Sequence, residues 1–255
     1  MAQKSQPKSA RQAKIDAVRK DGGGGVNRIV VGAVVAVVAI IAVVGGVVVA
    51  ERNKQDRVGS STAVPAGASG MGEGFVANAG VTLQPGAPTL EVYEDFQCPA
   101  CAQFEHVMGG TVADLANQGR VRLVYHLKTF LDANLRTTHS LTMGNAAMCA
   151  ADAGKFQAFH DAVYANMPAQ EGQGWPTARV KGFAEGAGIT GAALDAWQTC
   201  VDERKYGTYV ESTEESSSKA GINSTPTVVL DGKKLDFNAV PDPAALTAAV
   251  EAATK

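Results

Sequence analysis

Cys98-Pro99-Ala100-Cys101 places two thiols one helical turn apart, between a segment patterned as a strand and a segment patterned as a helix. Thiols so spaced can close into a disulfide and reopen with little backbone movement, which makes the motif a candidate redox centre. The residues before it, Leu90-Glu91-Val92-Tyr93-Glu94-Asp95-Phe96, are half apolar and carry aromatics, as a strand requires. Those after it recur apolar at Cys101, Phe104, Met108, Val112 and Leu115, a helical period.

The same patterns organise the rest. Pro99–Gln118 reads as a helix weakened at Gly109-Gly110, and Val121–Leu127 as an alternating strand, giving a parallel β-α-β unit. From about Asn134 to Lys205 strand signals stop, and apolar residues recur at helical spacing through 146–167, 180–187 and 194–201. A polar helix over 206–220, a strand at Thr227–Leu230, an Asp231-Gly232 turn and a final helix, Pro243–Ala253 capped by Asp242, complete the order. The fold class is α/β with an inserted helical block.

Upstream, residues 29–50 are 22 consecutive positions without a charge. As a helix they would span ~33 Å, enough for a hydrocarbon core of ~30 Å. Residues 1–28 carry a net charge of +5, which leaves −7 on residues 29–255. The positive-inside bias therefore predicts a single transmembrane helix at 29–50, a basic cytoplasmic tail at 1–28, and everything after Ala50 outside the cell. A signal peptide cleaved after Ala50 is the rival reading, but the run exceeds the roughly 7–15 residues of a signal h-region. Residues 51–80, rich in Gly, Ala and Ser, read as a flexible linker, and 81–255 as one domain. The acidic exported part has no basic stripe for nucleic acid. All four cysteines lie beyond the apolar run, in a compartment where disulfides persist, and the count alone allows three pairings.

At the redox motif, Pro99 fits the first helical position, and a helix N-terminus favours a thiolate on Cys98. Cys101 begins the buried apolar stripe and is the less accessible sulfur. Cys98 is thus the attacking thiol and Cys101 the resolving one. A static disulfide or half a metal site is the bland alternative, but a bridge closing so short a loop constrains the unfolded chain little.

Asp95-Phe96-Gln97-Cys98-Pro99-Ala100-Cys101, the helical insert at about 134–205, and Ser224-Thr225-Pro226-Thr227 entering a late strand together resemble the DsbA-like thioredoxin-fold oxidoreductases, particularly membrane-anchored actinobacterial forms. The resemblance covers about residues 81–255. It implies a thioredoxin fold and thiol:disulfide exchange through Cys98 and Cys101. It also implies a cis Pro226 facing the pair, with the Thr225 backbone free to bind an extended substrate. On sequence alone, Pro226 could simply start a strand. Cys149 and Cys200 have no neighbouring Cys or His at metal-ligand spacing. A structural disulfide, which some relatives carry, is the better reading, with two separate buried thiols the alternative.

Two departures stand out. Many relatives hold a buried acid six residues before the first active-site cysteine, where this chain has Val92 between Glu91 and Glu94, and the strongest oxidants often have His where this chain has Ala100. His106, His126, His139 and His160 show no ligand-like clustering, so no metal and no cofactor is expected. The function expected is oxidation of reduced exported polypeptides, with a DsbB- or VKOR-like membrane partner restoring the disulfide. A reductase or isomerase, or a copper-handling protein on the same fold, is the alternative.

Overall fold

The computed structural model describes residues 26–255, which belong to two compact units, Met1–Lys54 and Gln55–Lys255. Helix α1 (Val26–Val58) contains the whole apolar run. Its described large side chains from Val35 to Val49 are exposed. Among the described residues no helix is long and apolar enough to cross a membrane. Several side chains of the 29–50 run, and the expected basic tail as far as residue 25, lie outside the described residues.

The second unit is built on a five-stranded sheet in the order β1-β3-β2-β4-β5, with β1 (Phe75–Val76), β2 (Thr89–Glu94), β3 (Arg122–Leu127), β4 (Thr227–Leu230) and β5 (Lys233–Lys234). Central β2 runs parallel to β3, from Thr89↔Arg122 to Glu94↔Leu127, and antiparallel to β4, from Leu90↔Leu230 to Tyr93↔Thr227. Strands hemmed in on both sides and covered on both faces favour apolar, β-branched residues, and Leu90, Val92, Leu123 and Val228 are accordingly buried. The antiparallel register sets the chain leaving β2 beside the chain entering β4. That juxtaposition positions the site.

The helix expected over 99–118 is a continuous helical path with three parts: α2 (Pro99–Phe104), a π-helical turn (Glu105–Gly109) and α3 (Gly110–Asn117). Between β3 and β4 lie α4 (Phe130–Leu135), α5 (His139–Asp152), α6 (Phe156–Tyr164), α7 (Thr177–Gly186), α8 (Ala192–Asp202) and α9 (Gly207–Lys219). The apolar period expected through 146–167 is therefore divided between α5 and α6. Gly154, at φ 66°, turns the chain between them through a conformation that side-chain-bearing residues resist. The C-terminal helix α10 (Pro243–Ala253) packs on α3, and Asp242 caps it by accepting from Ala245 N at 2.9 Å.

The expected flexible linker at 51–80 is corrected by the structure. Residues 51–58 continue α1, and the stretch beyond packs on the domain. Strand β1 adds to the sheet edge through Phe75↔Tyr125 and Val76↔Val124, and the Phe75 ring lies 4.7 Å from that of Phe156. Asn78 ties the segment down: its Nδ2 donates to Ala116 O and Val121 O at 3.0 and 2.8 Å, and its Oδ1 accepts from Leu123 N at 3.0 Å. A two-residue strand is too short to show alternation, and small residues allow close packing as readily as flexibility. Asn78→Ala removes all three hydrogen bonds, leaving Ala116 O with its bond from Gly119 N but stripping Leu123 N and Val121 O of these partners, and should cost about 3 kcal/mol in denaturant unfolding. A change within about 0.5 kcal/mol would mark the segment as a detachable tether after all.

Candidate active site

Cys98 is the N-cap residue of α2, with extended backbone at φ −81° and ψ 116°, and Pro99 follows at the first helical position. Proline is tolerated there because its missing N–H would have had no intrahelical partner. Cys98 is 7% exposed and Cys101 fully buried, and both are free thiols. The two sulfurs differ in acidity. The Cys98 thiol is lowered to about 6: a hydrogen bond from the Cys101 thiol is the largest influence, partial burial opposes it, and Thr225 and the backbone N–H groups of Cys101 and Ala100 add to the lowering. Burial, reinforced by the Cys98 thiolate, raises Cys101 well above the ordinary thiol value. One sulfur is ionised near neutrality and the other holds its proton.

The entry to β4 closes over this pair. The Thr225-Pro226 peptide bond is cis, and as a thiol Cys98 donates to Thr225 O at 3.6 Å. The buried Thr225 hydroxyl has no hydrogen-bond partner. Beside the pair, Ala100, Phe104, Val107, Met108, Pro226 and Phe237 line a largely apolar groove of about 410 Å³. Val107 and Phe237 are its exposed large side chains.

Beneath the motif lies a polar network that the sequence reading did not single out. Asp95 Oδ1 accepts from Gln97 N at 2.9 Å and from Ser140 Oγ at 2.6 Å, while its Oδ2 accepts from Leu131 N at 3.2 Å. Gln97 Nε2 donates to Asp132 Oδ1 at 2.8 Å. Asp132 in turn accepts from the backbone N–H of Ser140 and Leu141 at 3.1 and 3.0 Å, satisfying the start of α5. Burial pushes the Asp95 carboxyl up to about 7 against these hydrogen bonds. The motif loop is thereby fastened to the helical insert. Only Asp95, adjacent to the motif, carried any sequence signal; Asp132 and Ser140 reach it from across the fold.

Cys149 on α5 and Cys200 on α8 are joined by a disulfide, with Cα atoms 5.9 Å apart. Val92, in the position where relatives hold an acid, is a fully buried core residue. Of its neighbours, Glu91 pairs with His126 at 2.9 Å, whereas Glu94 is buried against His160 at 2.6 Å. The expected absence of histidine clustering therefore needs correction at His160. It meets Glu94 and Glu105, residues too distant in sequence for spacing to reveal.

Comparison with known proteins places this geometry. The family model described as thioredoxin matches residues 84–252. The reduced disulfide bond oxidoreductase DsbG of Mycobacterium tuberculosis is 31% identical, with 69% of this chain and 85% of that one covered and a TM-score of 0.57. Oxidised DsbA of the same organism is also 31% identical, covering 68% and 88%, with a TM-score of 0.56. MdbA, a thiol-disulfide oxidoreductase of Actinomyces oris, shares the fold at 21% identity, covering 77% and 94%, with a TM-score of 0.62. A Na(+)/H(+) antiporter, NhaA 1 of Salinispora arenicola, is 26% identical over 146 residues, and the match spans only 20% of that protein. With a matching family model over most of its length and a buried, asymmetrically ionised Cys-x-x-Cys pair at a helix start, the chain belongs to the thioredoxin family, among its DsbA-like thiol-disulfide oxidoreductases.

Proposed function

We propose that this oxidoreductase works outside the cell membrane as an oxidase, donating a Cys98–Cys101 disulfide to exported polypeptides. The observation that carries the reading is the opposed acidity of the two sulfurs. A Cys98 thiolate already stable near pH 6 makes the reduced form easy to reach, so the disulfide is readily given up. A substrate thiolate attacks Cys98 Sγ, and the electron pair of the broken S–S bond goes to Cys101, which takes up a proton. A second substrate thiolate then attacks the substrate sulfur of the mixed disulfide and expels Cys98 as a thiolate. The apolar groove beside Pro226 suits an unfolded chain, whose apolar side chains are exposed.

The 29–50 stretch of α1 is the anchor in this reading, with the N-terminus cytoplasmic. A helix with an exposed row of Val and Ile needs an apolar environment, and a lipid bilayer supplies one. A DsbB- or VKOR-type membrane protein would reoxidise the pair, and tethering raises the local concentration near it. Protease added to intact spheroplasts should digest the chain beyond Ala50 and spare the basic tail. A mature protein starting at Glu51 would overturn the anchor.

The direction of electron flow is tested by the reduction potential of the Cys98–Cys101 pair, together with turnover on a reduced, unfolded substrate. An oxidase has a potential well above the thioredoxin value of about −270 mV. A potential near that value, with turnover only when an electron donor is supplied, would make the protein a reductase.

The acidity itself has a pH signature. Alkylation of Cys98 in the reduced protein should rise through a midpoint near pH 6 and level off above it. Because the folded thiol ionises at about 6 and an ordinary one at 9.0, the reduced fold gains stability as pH rises between these values. It loses that gain as pH falls through 6. A midpoint near pH 9 would remove the basis for the oxidase.

A further inference from the structure

Behind the redox pair lies a second cluster of side chains that thiol exchange does not use. Glu94 ends β2, Glu105 opens the π-helical turn and His160 lies on α6, and one ligand atom from each falls within 4.8 Å of the others. Glu94 and His160 are 0% exposed. The cluster is polar beyond its own pairing: Glu94 Oε2, Glu105 Oε1 and the hydroxyls of Tyr125 and Tyr164 are buried without a hydrogen-bond partner. Both tyrosine rings pack on His160, at 4.8 and 5.0 Å between centroids. Buried polar atoms are nearly always satisfied, so four orphaned oxygens around one imidazole mark a place that something else completes.

Local backbone geometry holds the cluster in shape. Glu105 begins the π-helical turn, a feature frequent at functional sites. Its carboxylate lies where the Cβ of any other residue at Gly109 would be, so glycine there keeps the space open. A pocket of about 400 Å³, lined by Pro99, Glu105, Gly109, Asp161 and Tyr164, gives access from the surface. His160 Nδ1 lies 3.0 Å from Asp161 Oδ1, and its Nε2 faces Glu94. A carboxylate holding one imidazole nitrogen so that the other points at a ligand cluster is the arrangement that orients metal-binding histidines.

We propose that Glu94, Glu105 and His160 bind one divalent transition-metal ion of the zinc or manganese class. Two carboxylates balance the charge of such an ion in a buried site. The imidazole favours it over calcium or magnesium, and the absence of a thiolate from the donor set disfavours Cu(I). Binding displaces the proton shared by His160 Nε2 and Glu94 Oε1 to solvent. Glu94 is also among the charges that raise the Cys101 thiol, so occupancy is felt at the redox pair.

The test uses the full chain in its oxidised form, in which both cysteine pairs are disulfides and no thiolate competes. After chelator treatment, titration with ZnCl2 by calorimetry should reveal one saturable site. Titration with CoCl2 should give visible d–d bands without a thiolate-to-cobalt charge-transfer band. Glu105→Gln should weaken binding about 100-fold or more, and Asp161→Asn about 10-fold. Gly109→Ala keeps all three ligand residues but displaces the Glu105 carboxylate, and should also weaken binding about 100-fold; circular dichroism checks that each variant is folded. No saturable binding by the folded parent protein overturns the proposal. So does binding of unchanged affinity in both Glu105→Gln and Gly109→Ala.

Discussion

The Cys98→Ser protein should exchange thiols and disulfides no faster than the uncatalysed reaction, whereas Cys101→Ser should accumulate mixed disulfides with its substrates. The difference follows from where the two sulfurs sit. Cys98 occupies the N-cap of α2, has a thiol lowered to about 6 and keeps some exposure where Cys101 has none, so it is the sulfur a substrate meets. A serine hydroxyl there neither ionises near neutrality nor forms a disulfide, and the remaining free thiol, Cys101, is out of a substrate's reach. Cys101 is fully buried and holds its proton. It attacks Cys98 Sγ of a mixed disulfide and releases the substrate as a thiolate, and without it that species persists until a second substrate thiol displaces Cys98. Mass spectrometry of the variants incubated with a disulfide-containing protein substrate, whose S–S bond the remaining thiolate attacks to release one substrate thiolate, separates the roles. Retained turnover in Cys98→Ser, or mixed disulfides trapped through residue 101 in that variant, would overturn the assignment.

The parts of this site legible in the sequence are those that act over a few residues. Strand, Cys-x-x-Cys and helix follow from apolar period and the position of Pro99, and Asp242 at the last helix follows from capping chemistry. What the sequence hides is contact made across the fold. Asp132 and Ser140 reach the motif loop only because α4 and the start of α5 fold back under it. His160 looks like an ordinary helical histidine until the sheet brings Glu94 beside it. Residues 59–80 mislead for a different reason. Gly, Ala and Ser describe a flexible chain well and a closely packed edge equally well, and the decision rests on single side chains such as Phe75 and Asn78. The helix weakness read at Gly109-Gly110 coincides with the end of the π-helical turn, where period alone cannot distinguish a wide turn from a break.

Replacing both Cys149 and Cys200 by alanine should remove about 4 kcal/mol of stability, because the bridge spans 51 residues of sequence and closing a loop of that size restricts the unfolded chain strongly. For a domain of this size the loss corresponds to a drop on the order of 10 °C in Tm. The bridge joins α5 to α8, whose contact is otherwise secured by Trp197 Nε1 donating to Ala146 O at 3.1 Å and by burial of Trp197. Those contacts survive the substitution, so the insert should loosen without leaving the domain. Activity should respond much less. Ser140, which holds the motif loop through Asp95, lies about 14 Å along α5 from Cys149 at 1.5 Å per residue. The network under Cys98 is therefore more than two turns from the substitution. Well below the lowered Tm, the double variant should exchange thiols at a rate within about twofold of the parent, and thermal unfolding of the oxidised proteins measures the stability term. Equal Tm values would show that the bridge does not constrain the unfolded chain. A loss of exchange as large as that of Cys98→Ser, in a variant still folded, would place the bridge in the redox machinery.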